Sequence, residues 1–191
     1  IAKSIAEYDA DDRLDVLKAL VCPRDYIENP EEGILLLGNH DIHYLVDDAP
    51  MGSRFSLELM MDIEELLVGY TDCFQCVYRY DGMLFTHAGV SRPWFEEQFC
   101  GDTHRDIADQ LISRTDDTSL YDCGKARGGK HAYGGIFWAD KEELNNLPPH
   151  VIQIVGHTQL NDKPYITDRI ACVDVRRCFI LDTITGQIEN A

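Results

Sequence analysis

Positive charge is scarce in this sequence: 17 Lys and Arg stand against 34 Asp and Glu, a formal net charge of −17 over 191 residues. A surface that acidic repels nucleic-acid backbones and anionic membranes, so neither is expected as a partner. Any phosphorylated ligand has to be drawn in locally, by a metal ion or a few cations. No apolar run approaches the roughly 20 residues of a membrane span, and no signal peptide is recognisable before the first helix-like segment. Internal repeats and linker-like tracts are lacking too. Cysteine follows no framework: the seven, at 22, 73, 76, 100, 123, 172 and 178, are an odd number without regular spacing. Reduced thiols in a cytoplasmic protein are therefore expected. Cys73-Phe-Gln-Cys76 lies in an apolar run of strand character, where residues three apart face opposite ways. No second pair completes a zinc site there.

What is present suits a single α/β domain over residues 1–191, with strands and helices mixed and polar loops following the buried strands. Asp11 or Asp12 suits the start of a helix carrying Leu14, Leu17, Leu20 and Val21 on one face. Gly33 to Leu37 reads as a short buried strand. Ser53 suits the cap of a second helix with Phe55, Leu59, Ile63, Leu66 and Leu67 inward and Gly69 as its stop. Cys73–Tyr80 and Met83–Thr86 flank Asp81-Gly82, a hairpin signal. Ser91-Arg92-Pro93 opens a helix and Asp102 starts another through Ile107, Leu111 and Ile112. From Thr115 to Gly135 a long polar surface loop is expected. Val151–Val155 is a further buried strand, and Ile166–Ile184 reads as two or three short ones before a turn at Thr185-Gly186.

Three apolar strands each end in a polar cluster that holds a potential metal ligand: Gly38-Asn39-His40-Asp41, Thr86-His87-Ala88-Gly89 and Gly156-His157-Thr158. Sheets fix the loops at strand ends, which is why catalytic groups collect there. Glycine beside each ligand lets backbone approach a metal or a phosphate closely. Imidazoles with an amide oxygen suit borderline divalent ions such as manganese, iron or zinc. One histidine at a strand end is ordinarily a structural residue; three clusters in order are not readily accidental. Gly124-Lys125-Ala126-Arg127-Gly128-Gly129-Lys130 fits seven positions of a phosphate-binding P-loop. His131 then stands where that loop needs Ser or Thr, and no apolar strand delivers it. A mobile basic loop is expected instead, with Lys125, Arg127 and Lys130 available to face a substrate.

In order and in separation, the three clusters resemble the motifs of the calcineurin-like metallophosphoesterases, and the Gly-His-Thr ending is similar to the phosphoprotein phosphatase branch. The likeness runs from about residue 30 to 185, and Gly-Asn-His-Asp is its most specific element. The resemblance implies a metallophosphoesterase-type β-sandwich flanked by helices. It implies that Asn39, His87 and His157 ligate one metal, with His40 as the acid serving the leaving oxygen and Asp41 beside it. Gly135-Ile136-Phe137-Trp138-Ala139-Asp140 resembles a tryptophan-containing stretch near the active site, and Asp174 is similar to an Asp of the late strand pair. The implied cofactors are two divalent ions (manganese, iron or zinc), and the implied reaction is hydrolysis of a phosphate monoester by a metal-bridged hydroxide. The phosphorylated substrate is then a phosphoprotein or a small metabolite.

The family also carries Asp-x-His and Gly-Asp-x-x-Asp before these motifs, supplying the second metal's ligands, and neither precedes Gly-Asn-His-Asp here. Asp9-Ala10-Asp11-Asp12-Arg13 is better explained as a helix N-terminus, where acidic side chains are favoured. The expectation is a chain missing N-terminal strands that bear both motifs, with doubtful activity by itself. A phosphodiesterase or nucleotide pyrophosphohydrolase, and a non-catalytic binding module built on a degenerate half-site, remain open alternatives. Substrate identity, native metal and oligomeric state are not encoded legibly.

Overall fold

Asp81 and Gly82 both adopt positive φ, 47° and 75°, the conformation of a tight two-residue turn whose twist matches its flanking strands. Around that hairpin the central sheet is assembled in the computed structural model, which describes residues 34–52, 55–69 and 74–191. The helix after Asp11 or Asp12, the Asp9–Arg13 segment, Gly33, Ser53, Cys22 and Cys73 lie outside the described residues.

Strands β1 (Leu35–Leu36) and β2 (Phe74–Gln75) pair in parallel. The central five-stranded sheet holds β3 (Val77–Tyr80), β4 (Met83–Thr86), β5 (Ile152–Val155), β6 (Tyr165–Ile166) and β7 (Ile170–Cys172) in the order β3-β4-β5-β7-β6. Its inner pairs β4–β5 and β5–β7 are parallel, and both outer pairs are antiparallel. Strands β8 (Phe179–Leu181) and β9 (Ile188–Asn190) form a separate hairpin. It turns at Gly186, whose φ is 71°. Three α-helices accompany them among the described residues: α1 (Met60–Val68), α2 (Arg92–Glu97) and α3 (Ile107–Ile112). Mixed sheet and helices make the chain α/β in the broad sense.

The extended run expected from residue 73 is broken at Cys76, between β2 and β3. Burial pushes that thiol up to about 11, so it is an inert packing residue. The helix expected from Ser53 begins only at Met60, and Gly69 ends it in ordinary helical geometry, not the left-handed one. The helix expected from Asp102 begins at Ile107, capped by Asp106, whose carboxylate accepts from Asp109 N at 2.8 Å. Asp102 caps a preceding turn instead, accepting from His104 N at 2.9 Å. Two acidic residues with cap chemistry compete there, and only Asp106 stands directly before Ile107, Ala108 and Leu111, the residues α3 buries.

Ser91 caps α2 by accepting from Trp94 N at 3.4 Å. That helix delivers Trp94 and Phe95 into the core, where Phe99 stacks on both at 5.3 Å. All three rings are wholly buried, and burial of each such side chain contributes about 1.5–3 kcal/mol. Leu111, Leu120, Ile136 and Phe137 extend this cluster, while Ala88, Ala139, Leu144, Val155 and Ile170 form another below the end of β5.

Candidate metal centre

Two of the three predicted clusters meet because their strands are parallel neighbours. Thr86, the last residue of β4, lies opposite Val155, the last residue of β5. The strands therefore release His87 and His157 at the same edge, and Gly156 N donates to His87 O at 2.9 Å. The third cluster arrives from the side. Leu37 N donates to Gln75 O at 3.0 Å, and Val77, two residues further on, pairs with Thr86. The break at Cys76 thus joins the end of β1 to the end of β4 and brings Gly38-Asn39 against His87.

The convergence is close. His87 Nε2 lies 2.9 Å from Asn39 Oδ1 and 3.0 Å from His157 Nδ1. A ring nitrogen carries one proton or one lone pair, so Nε2 is not a full hydrogen-bond partner to both neighbours at once. His87 Nε2, flanked by two further donor atoms with a single proton to share, is placed as a cation ligand would be. The spacing agrees: ligands bound at about 2.1 Å in adjacent octahedral positions stand about 3.0 Å apart. These residues fit one divalent ion. Among the described residues, no three His, Cys, Asp or Glu side chains cluster for a metal. The third donor here is an amide, and the set is neutral.

The surroundings hold these atoms in place. Dehydration pushes the His87 imidazole down to about 4, against the opposing pull of the Asp41 carboxylate. The ring is neutral at pH 7, the form that ligates. Asp41 folds the Gly38 turn over it, accepting from Gly38 N at 3.0 Å. A Cβ on Gly38 would stand 3.0 Å from His87 Cε1 and 3.1 Å from Nδ1, tight enough that the ring would have to give way by a few tenths of an ångström. His157 adopts φ 65°, left-handed geometry that is uncommon for a residue with a side chain. Strain of that kind collects at functional sites, where the fold over-determines it. The Trp138 ring meets the His157 ring edge-on at 6.0 Å.

Below His87 the support is an amide. Gln153 on β5 is fully buried. It accepts from Val90 N and donates to Val90 O, both at 2.8 Å. Thr86 Oγ1 accepts from Gly89 N at 3.1 Å, and Ile136 O accepts from Ala88 N at 2.8 Å. The loop carrying His87 is thus tied at three successive residues.

His40 follows Asn39 and is half-buried at the rim. The backbone of Gly52 passes beside it, near enough that a Cβ there would lie 3.4 Å from His40 Nδ1 and 3.4 Å from the Trp138 ring. Asp174 takes no part in the convergence; its carbonyl accepts from Leu160 N at 2.9 Å.

The basic stretch expected to be mobile is pinned. Lys125–Arg127 forms one 3-10 turn. Lys125 N donates to His131 O at 3.0 Å, and Gly129 N to Gly124 O at 3.0 Å. A Cβ at Gly129 would fall 2.0 Å from Cys123 O, and one at Gly134 2.2 Å from Trp138 O. The glycines that read as looseness are there for close backbone packing. This turn holds Arg127 beside the site: its Nε lies 2.9 Å from Asp140 Oδ2 and its Nη2 hydrogen-bonds Thr158 Oγ1. Sequence reasoning named Arg127 as one of three available cations and gave no reason to prefer it. Neither the Gln153 clamp nor the pair formed by Asp122 Oδ1 and His131 Nδ1, 3.2 Å apart, has a motif that sequence reasoning could have found.

Comparison with known protein families, with curated proteins and with solved structures finds no match.

Proposed function

We propose that this chain is a metal-dependent phosphoesterase of calcineurin-like type, contributing the Asn39–His87–His157 set to a dinuclear centre that hydrolyses a phosphate monoester. The observation carrying the reading is the meeting of Asn39 Oδ1, His87 Nε2 and His157 Nδ1 within 3.0 Å contacts at the ends of three strands. On this reading the sheets are those of a metallophosphoesterase β-sandwich. Manganese, iron or zinc suits the donors.

When bound, two such ions supply Lewis acidity and activate water at neutral pH. Asn39, His87 and His157 hold and orient one of them. Arg127, with Nε turned to Asp140 and Nη2 to Thr158, keeps a fixed guanidinium for the charge spreading over the phosphoryl oxygens. Trp138 and the Gly52 backbone shield the His40 side from bulk water. His40 gives its proton to the leaving oxygen, so the departing group leaves as a neutral alcohol. Cysteine takes no part.

The test is hydrolysis of p-nitrophenyl phosphate and bis-p-nitrophenyl phosphate with manganese, by the parent protein and by His157→Ala. Monoester turnover that vanishes in the variant supports the proposal. A preference for the diester makes the protein a phosphodiesterase, and metal binding without turnover of either, even in a protein that also carries the second metal's ligands, makes it a binding module.

A further inference from the structure

The 3-10 turn Ile42–Tyr44 follows directly on Gly38-Asn39-His40-Asp41, and all three of its residues are buried. Gly38 O starts it, accepting from Asp41 N and Ile42 N at 3.0 Å each. His43 stands in this turn among rings: Tyr44 at 4.5 Å, Phe55 at 5.2 Å and His40, edge-on, at 6.4 Å. An imidazole buried in such company is costly unless both nitrogens find partners, and one of them does. His43 Nδ1 accepts from Gly52 N at 3.3 Å. The proton of the neutral ring is therefore on Nε2, where the Asn39 carbonyl attracts it without hydrogen-bonding it. Phenylalanine would fill this place with no orphaned donor, so a half-satisfied imidazole calls for a reason beyond packing.

Gly52 supplies that reason. Its N–H meets His43, and its other side meets the candidate centre: a Cβ there would lie 3.4 Å from His40 Nδ1, 3.5 Å from His40 Cε1 and 3.4 Å from Trp138 Cη2. The same turn also holds the chain further on, because Tyr44 Oη accepts from Ser56 N at 2.9 Å and the Tyr44 and Phe55 rings stack at 5.1 Å. That second tie secures residue 56, past the contact with His40. The His43 tie acts at Gly52 itself.

We infer that His43 is a positioning residue for His40: through Nδ1 it holds the Gly52 backbone against the His40 ring, fixing that ring beside the candidate centre and closing it to water. This rests on the phosphoesterase reading, in which His40 serves the leaving oxygen, and it names the residue that keeps His40 in place. A ring free to turn meets the leaving oxygen in fewer of its orientations, and small misplacements of catalytic groups are costly. His43 acts through Gly52 and is not itself the acid.

The experiment uses the full chain with zinc, which is diamagnetic, and reads two hydrogen exchanges: the Gly52 amide by NMR and the His40 Cε1–H by mass spectrometry. In His43→Phe the protection of the Gly52 amide should fall by about tenfold, the upper worth of one hydrogen bond. His40 Cε1–H exchange should quicken severalfold, while the Ser56 amide, held by Tyr44, keeps its protection. His43→Asn, which returns an acceptor to the Nδ1 position, should restore both exchanges toward the parent. His43→Gln, whose amide reaches the Nε2 position, should not, and it serves in place of His43→Phe if that variant does not fold. Unchanged Gly52 protection, or lost Gly52 protection with His40 exchange unmoved, overturns the inference. Equal loss at Ser56 overturns it too, because His43 would then serve folding alone. Zinc titration of the same proteins separates this from the phosphoesterase reading. Absence of zinc binding in the parent refutes that reading, whereas intact zinc binding with unchanged exchange in His43→Phe refutes only the role of His43.

Discussion

Replacing Gln153 by Leu tests how the fold holds the candidate centre. The side chain is wholly buried and so is Val90, whose N–H and C=O it satisfies at 2.8 Å each. Leucine fills a similar volume and leaves both groups without partners. Each orphaned buried group costs about 1–3 kcal/mol, and the added apolar side chain returns part of that. A net loss of about 2–4 kcal/mol follows, which for a domain of this size lowers Tm by roughly 5–15 °C. The site should suffer as well, because Val90 closes the loop that begins at His87. Changes to groups that orient a ligand typically cost about 10- to 100-fold in metal affinity. Gln153→Glu is the informative companion. A protonated carboxyl still serves both Val90 groups, whereas the ionised one meets Val90 O with a second acceptor, so its destabilisation deepens as pH rises. Calorimetric melts and manganese titrations read both effects. A Leu variant melting within about 2 °C of the parent would show that Gln153 does not carry the loop.

Further outcomes follow from the same geometry. His40→Ala should keep its metal while turnover falls by about 10²–10⁴, the usual worth of a general acid; loss of metal in step with turnover would make His40 a ligand, as elemental analysis would reveal. Gly38→Val should weaken metal binding, since a Cβ there starts 3.0 Å from the His87 ring, and a crystal structure should find that ring displaced. In metal-free protein, His87 is held down to about 4, below its unfolded value of about 6.5. The unfolded chain therefore binds the proton more tightly, and stability falls as pH drops through that window, by about 3 kcal/mol in total. His87→Asn should flatten this part of the pH profile measured by urea unfolding.

Much of the sheet was legible because its signals are local. Asp81-Gly82 specified the hairpin, Ser91 the cap of α2, and the apolar runs before His87 and His157 their strands. The candidate residues were legible because each stands directly after such a run. Their meeting was not, since it depends on β4 and β5 being parallel neighbours in one register and on the Cys76 break. The Asp102 misreading came from two acidic caps competing within a few residues, which only the packing of Ile107 and Leu111 decides. The stretch from Thr115 to Gly135 misled for a different reason. Glycine permits looseness and close packing alike, and Gly124, Gly129, Gly134 and Gly135 all serve packing. Gln153 sits in a strand as an ordinary polar residue, and nothing local announces that it binds Val90 from 63 positions away.

The central claim is that Asn39, His87 and His157 share one divalent ion. Manganese or zinc titrated calorimetrically into the full chain, the parent beside His87→Ala, His157→Ala and Asn39→Ala, tests it most directly, with metal content measured after gel filtration. The account predicts one bound ion per centre in the parent. Its affinity should collapse by at least about 100-fold in either histidine variant and fall less in Asn39→Ala, because an amide oxygen is the weakest donor of the three. Binding of equal strength and stoichiometry in His87→Ala would contradict it.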